Sequence, residues 1–145
     1  MLILVLALVG LADSFYLASH ANTGEPLLCG EGALSGCNTV ATSAYSHLFG
    51  IPLAEFGFLF YFVVLMLALF ELVLFDQLLR RVLQAVAAVG LLSSIYFVVL
   101  QAFVIKAFCI YCLLSATLTL GICIIAGLLE PLLKSRLAAQ LEAAV

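Results

Sequence analysis

The chain has 145 residues, 67% of them hydrophobic and 9% charged, with a net charge of −3. A soluble domain carries about 25% charged residues, and a chain this short cannot hide so much apolar surface from water, so a water-soluble globular fold is excluded. Five Lys and Arg residues cannot build a phosphate-binding surface, which excludes nucleic acid as a partner.

Four apolar stretches follow in order, at residues 1–19, 52–75, 82–105 and 108–129. Each is close to the roughly 20 residues that a helix needs to cross hydrocarbon. They predict an all-α membrane protein, a four-transmembrane-helix bundle that forms a single integral membrane domain over 1–145. The first stretch ends in Leu17-Ala18-Ser19-His20-Ala21, small residues of the kind found at a signal-peptide cleavage site. It has no basic leading region, however, and is too long for a signal core. Gly10, Ser14 and Ala18 recur every four residues, the spacing of membrane helices packed closely together, so the segment is predicted to stay as a helix. Asp13 lies about 18 Å along it. Two readings of Asp13 stand, an intramembrane functional carboxylate or an interfacial one bonded to Ser14 or Tyr16.

The loop from 20 to 51 contains no Lys or Arg. Cys29 and Cys37 lie in it, among Gly24, Gly30, Gly32 and Gly36. This pair reads equally as a structural disulfide or as a shuttle that reaches two partners in turn. Further on, Val40, Ala44 and Leu48 share one face, which predicts a short interfacial half-helix over 39–48. Gly50-Ile51-Pro52 then restarts the chain as the second span. Glu55 falls in that helix's first turn, where the dipole favours it, and Glu71 lies near its other end.

Arg80 and Arg81 follow the second stretch, and Lys134 and Arg136 follow the fourth, while Lys106 stands alone on the other side. The positive-inside rule then makes both termini cytoplasmic and the first and third loops extracytoplasmic, in a multi-pass protein of the cell's inner or plasma membrane. On the outer side the fourth stretch opens with Cys109-Ile110-Tyr111-Cys112. Two cysteines so spaced at a helix start can bond, and the free N–H groups there stabilise a thiolate, with Lys106 upstream as a further cation. Half a zinc site would lack its other ligands, since neither His20 nor His47 has metal-motif spacing, so no metal is expected. Cys123 reads as a small buried hydrophobe. The tail, 130–145, predicts a separate short helix from Pro131, with Leu133, Leu137 and Leu141 on one face along the inner membrane surface.

Two cysteine pairs on one side can relay electrons by thiol–disulfide exchange. With no haem or nucleotide pattern in the chain, a membrane quinone is the natural acceptor. In order and spacing, Cys29, Cys37, Ser43, Gly50-Ile51-Pro52, Gly57, Tyr61 and Cys109-Ile110-Tyr111-Cys112 resemble the vitamin K epoxide reductase family over roughly residues 5–130, specifically its bacterial disulfide-forming homologues. The resemblance implies a bundle around a quinone of the menaquinone, ubiquinone or phylloquinone type, with the loop and half-helix as cap. It further implies that Cys29 exchanges with an outside thiol, that Cys37 bridges transiently to Cys109, and that Cys112 faces the quinone. Ser43 would tie down the cap. The implied partner is a DsbA-like thioredoxin-fold protein. No such domain follows residue 145, so that partner is expected to be separate, or the chain to be cut from a fusion. Animal members carry a quinone-binding tyrosine where this chain has Ala116. That departure counts against epoxide reduction and leaves Tyr111, Asn38, Tyr96 and Gln101 as candidates for the carbonyl partner. The alternatives are a vitamin K quinone or epoxide reductase and a binding protein with static disulfides.

Overall fold

The computed structural model describes residues 2–29, 35–74 and 76–143, with side chains to residue 127. Its elements are α1 (Leu2–Thr23), α2 (Cys37–Ala41), β1 (His47–Leu48), β2 (Ile51–Pro52), α3 (Leu53–Leu74), α4 (Gln77–Val99) with a π-helical last turn (Leu100–Ile105), and α5 (Ile110–Ala143). Among the described residues, four helical segments are long and apolar enough to cross a membrane: Leu2–Thr23, Leu53–Leu74, Gln77–Ile105 and Ile110–Gly127. Large apolar side chains such as Phe15, Leu59, Val73 and Leu92 point outward from the bundle, as they do when lipid covers it.

Hydrocarbon is as apolar as leucine, so it does not drive helices together; close packing and polar ties must do so. The small stripe of α1 supplies the packing. A Cβ on Gly10 would overlap the Tyr61 ring of α3, and one on Gly57 would meet Ser14 Oγ at 3.1 Å. Gly90 of α4 lies equally close to the Phe60 ring. Ala7, Val64, Leu83, Ala87 and Ile122 fill the common core. Between α4 and α5, Gln84 Nε2 donates to the Ala126 carbonyl at 3.0 Å, and at the α3–α4 turn Arg80 pairs with Glu71 at 2.6 Å.

The spans differ from the sequence reading at their ends. α1 runs on to Thr23. α4 begins at Gln77 rather than residue 82, because the Asp76 carboxylate caps it by accepting the Leu78 N–H at 2.9 Å. Arg80 and Arg81 therefore lie inside the helix and not in a linker. The expected half-helix over 39–48 is replaced by the five-residue α2. Thr42 Oγ1 and Ser43 Oγ turn back onto the carbonyls of Asn38 and Val40 and so compete with helix continuation. The chain then forms a hairpin through Phe49 and Gly50, both with positive φ. The tail is not a separate helix either, since α5 continues unbroken through Pro131 to Ala143. Proline removes one backbone bond, and here the flanking Leu, Lys, Arg and Ala residues favour helix on both sides.

Gly10→Ala is expected to cost about 1–3 kcal/mol through overpacking against Tyr61 and to lower the melting temperature of the detergent-solubilised protein. Gly127→Ala, where an added methyl meets nothing within 4 Å, should not lower it. Equal melting temperatures would refute the close α1–α3 approach.

Candidate active site

The third loop is short, and its conformation sets the site. α4 ends in a π turn, and Lys106 takes a left-handed backbone (φ 55°) that reverses the chain. The Ala107 N–H closes onto the Gln101 carbonyl at 3.2 Å. The buried Gln101 side chain reaches back, and its Oε1 accepts the Cys109 N–H at 3.0 Å. Cys109 thus sits immediately before α5, in the N-cap position.

The first loop docks onto this linker through its backbone. Ser35 bridges to Cys109, and the Gly36 N–H donates to the Phe108 carbonyl at 3.1 Å. Only glycine fits there: a Cβ would come within 2.8 Å of Ala107 Cβ and 3.0 Å of the Phe108 backbone. Upstream, Asn38 holds Leu27 at both ends of its amide, accepting the Leu27 N–H at 2.8 Å and donating to the Leu27 carbonyl at 3.4 Å. Tyr111 donates to the Leu28 carbonyl at 2.7 Å, and the Leu28 N–H donates to Tyr16 at 3.3 Å, with the two rings 5.2 Å apart.

These ties bring four sulfurs into one cluster with Leu27, Tyr16 and Val40. Cys29 and Cys37 form a disulfide with Cα atoms 6.2 Å apart, while Cys109 and Cys112 are free thiols. Their exposures are graded. Cys29 is half-buried, Cys37 and Cys109 are 0% and 1% exposed, and Cys112 is half-buried again. The Cys109 thiol is pulled below the ordinary thiol range, first by a hydrogen bond from Cys112 and further by the N–H groups of Cys112 and Tyr111; burial opposes this. That is what a sulfur at a helix N-terminus experiences. Lys106 is exposed.

Beneath the sulfurs lies a cavity of about 1110 Å³ among α1, α3, α4, α5 and the cap. Cys37, Cys109 and Cys112 line it at one end, and Phe56, Phe60 and Phe97 give it an apolar wall. A large apolar chamber with few polar groups is what a hydrophobic ring and tail require, so these residues fit a quinone. Of the residues the sequence points to, Asn38, Ser43, Tyr96 and Gln101 also line the chamber. Ser43 is engaged with the Val40 carbonyl at 2.7 Å and ties the end of α2. Tyr111 lies outside the chamber wall, on the loop side. Asp13 is buried, and its Oδ2 has no hydrogen-bond partner among the described residues.

Sequence reasoning missed Tyr16 and Leu27, whose roles arise only from the loop's docking. It also missed Ser115 and Thr119, although their spacing of three and seven residues beyond Cys112 already places them on its helix face.

The fold and site define a multi-pass membrane protein whose disulfide and Cys-x-x-Cys pair meet above an apolar chamber. Over residues 1–126 the sequence matches the vitamin K epoxide reductase family, and the chain belongs to that family. Membership makes it an oxidoreductase of the thiol- and quinone-linked kind. No individually curated protein matches it.

Alkylation of Cys109 by a small haloacetamide should rise with pH through a midpoint below the ordinary thiol range, since the thiolate is the nucleophile. In Cys112→Ala the midpoint should move up toward the ordinary thiol range. Peptide mass mapping of the labelled site across pH 5–10 checks both.

Proposed function

We propose that the protein is a quinone-dependent thiol oxidase that supports disulfide formation outside the cytoplasm. It relays electrons from a thioredoxin-fold partner of DsbA type, through its two cysteine pairs, to a membrane quinone. The observation that carries this reading is the packing of an oxidised Cys29–Cys37 pair against a reduced Cys109–Cys112 pair at the head of an apolar chamber. Cys29, the half-exposed member, is the disulfide sulfur that a partner's thiolate attacks, releasing Cys37 as a thiolate. Cys37, fully buried against Cys109, hands electrons inward by a transient Cys37–Cys109 bridge. Cys112 leaves as that bridge forms, and Cys109 leaves when Cys29 attacks Cys37 to resolve it; the lowered pKa of Cys109 suits the second step, because a stable thiolate leaves faster. Cys112, which lines the chamber with Cys109 but lies within α5 and is the more exposed of the two, delivers the electrons onward.

In this cycle an outer disulfide beside an inner dithiol is the arrangement reached once electrons have moved inward and before they leave for the quinone. The quinone supplies the final sink, taking two electrons and two protons as Cys109 and Cys112 form their disulfide. The chain's own contribution is to hold the dithiol at the chamber, keep one sulfur acidic and exclude water with the cap formed by α2 and the hairpin. Charge distribution supports cytoplasmic termini and an extracytoplasmic site, since Arg80 and Arg81 lie at the end of the bundle opposite the cysteines.

Cys112→Ala should abolish reduction of a short-chain ubiquinone or menadione, by at least 100-fold, and accumulate a Cys37–Cys109 disulfide detectable by mass spectrometry. Retained turnover with a dithiol donor would sink the assignment. Cys29→Ala should block oxidation of a reduced thioredoxin-fold protein while sparing oxidation of dithiothreitol; parallel loss of both would remove Cys29 as the docking thiol.

A further inference from the structure

A second polar group borders the chamber, and the thiol relay makes no use of it. Tyr61, Ser115 and Thr119 bring three hydroxyls together at the boundary between α3 and α5. Tyr61 Oη lies 2.8 Å from the Ser115 carbonyl, 2.9 Å from Ser115 Oγ and 3.0 Å from Thr119 Oγ1. Thr119 Oγ1 also donates to the Ser115 carbonyl at 2.9 Å. Tyr61 and Thr119 are 1% and 2% exposed, whereas Ser115 is only half-buried; all three border the chamber together with Cys112. Ala116, the next residue, offers no polar atom.

Exposure singles out one member. Within α5 the Ser115 carbonyl also accepts the Thr119 N–H, so the Tyr61 and Thr119 hydroxyls, both almost fully buried, share what acceptor capacity remains. Ser115 is the least buried of the three, and its proton can turn away from the Tyr61 oxygen while Tyr61 and Thr119 keep each other and the Ser115 carbonyl as partners. Turning it toward a ligand leaves no buried donor unpaired, so the change avoids the penalty of an unsatisfied group. Ser115 is also three residues beyond Cys112, a neighbouring position on the same helix face with Cβ atoms about 5–6 Å apart. A ring whose carbonyl meets Ser115 therefore lies within reach of the Cys112 sulfur.

We infer that Ser115 Oγ is the hydrogen-bond donor to one carbonyl oxygen of the quinone, with Tyr61 and Thr119 as positioning residues that free and aim its proton. This rests on the quinone reading above. As the Cys109–Cys112 dithiol is oxidised to its disulfide, two electrons and two protons go to the quinone. The donor stabilises the charge that develops on that oxygen. Gly10, by allowing α1 to close on the Tyr61 ring, fixes the hydroxyl at the edge of the chamber.

The test uses the full chain in lipid nanodiscs, with a short-chain ubiquinone carrying ¹³C at one carbonyl or the other. In the Cys112→Ala background, which holds the ligand without turnover, infrared difference spectra should show one carbonyl stretch shifted down. Ser115→Ala should abolish that shift and weaken quinone binding about tenfold. Ser115→Thr should retain both, and Tyr61→Phe should reduce the shift without removing it. In the parent background, Ser115→Ala should slow quinone reduction 10-fold or more, while exchange between the two cysteine pairs, followed by alkylation without quinone, stays unchanged. An unshifted carbonyl in the parent protein, or an equal shift in Ser115→Ala, overturns the assignment of Ser115 alone. A parent protein that neither binds nor reduces the quinone overturns the quinone reading and this inference with it. Loss of cysteine exchange in Ser115→Ala would show a structural role and overturns the inference too.

Discussion

The whole site depends on a backbone contact: a polar loop lies against a polar linker at the end of an apolar bundle. Neither segment is helical, so their N–H and C=O groups need partners. Ser35 and Gly36 find them on Phe108 and Cys109. Because an unpaired buried backbone group costs as much as a lost hydrogen bond, this pairing fixes the register between the two segments. Register in turn decides that Cys37 rather than any neighbour lies against Cys109. Side-chain ties from Asn38, Tyr16 and Tyr111 to Leu27 and Leu28 then set where Cys29 emerges.

Below that contact the forces change. The bundle is held by close approach of small residues and by a few interior hydrogen bonds, since lipid gives no hydrophobic reward for helix association. Tyr61 serves both purposes. Its ring fills the space left by Gly10, and its hydroxyl ties α3 to α5 through Ser115 and Thr119. Packing and chemistry meet at one side chain there, so the chamber wall cannot shift without moving the hydroxyls beside Cys112.

The four sulfurs differ in surroundings more than in kind. Cys29 is half-buried and lies off the chamber, Cys37 and Cys109 are buried at its head and almost wholly shielded from the surface, and Cys112 lines it half-buried within α5. The Cys112 thiol contributes most to stabilising the Cys109 thiolate, and the N–H groups of Cys112 and Tyr111 at the helix start add to it, against the opposing effect of burial.

Sequence alone determined the lipid environment, the four spans and the presence of two cysteine pairs, because each follows from composition or from spacing along one segment. The hydrocarbon thickness sets helix length, and Cys-x-x-Cys at a helix start needs no distant contact. The small stripe of Gly10 and Ser14 was legible for the same reason. Tertiary structure decided what spacing could not: that α2 stops at Ala41, that α5 runs past Pro131, that Asn38 and Tyr111 hold the loop, and that Ser115 and Thr119 join Tyr61 at the chamber. These depend on hydrogen bonds between residues up to 83 positions apart, and no local pattern encodes which distant backbone group a side chain will meet once the helices have packed.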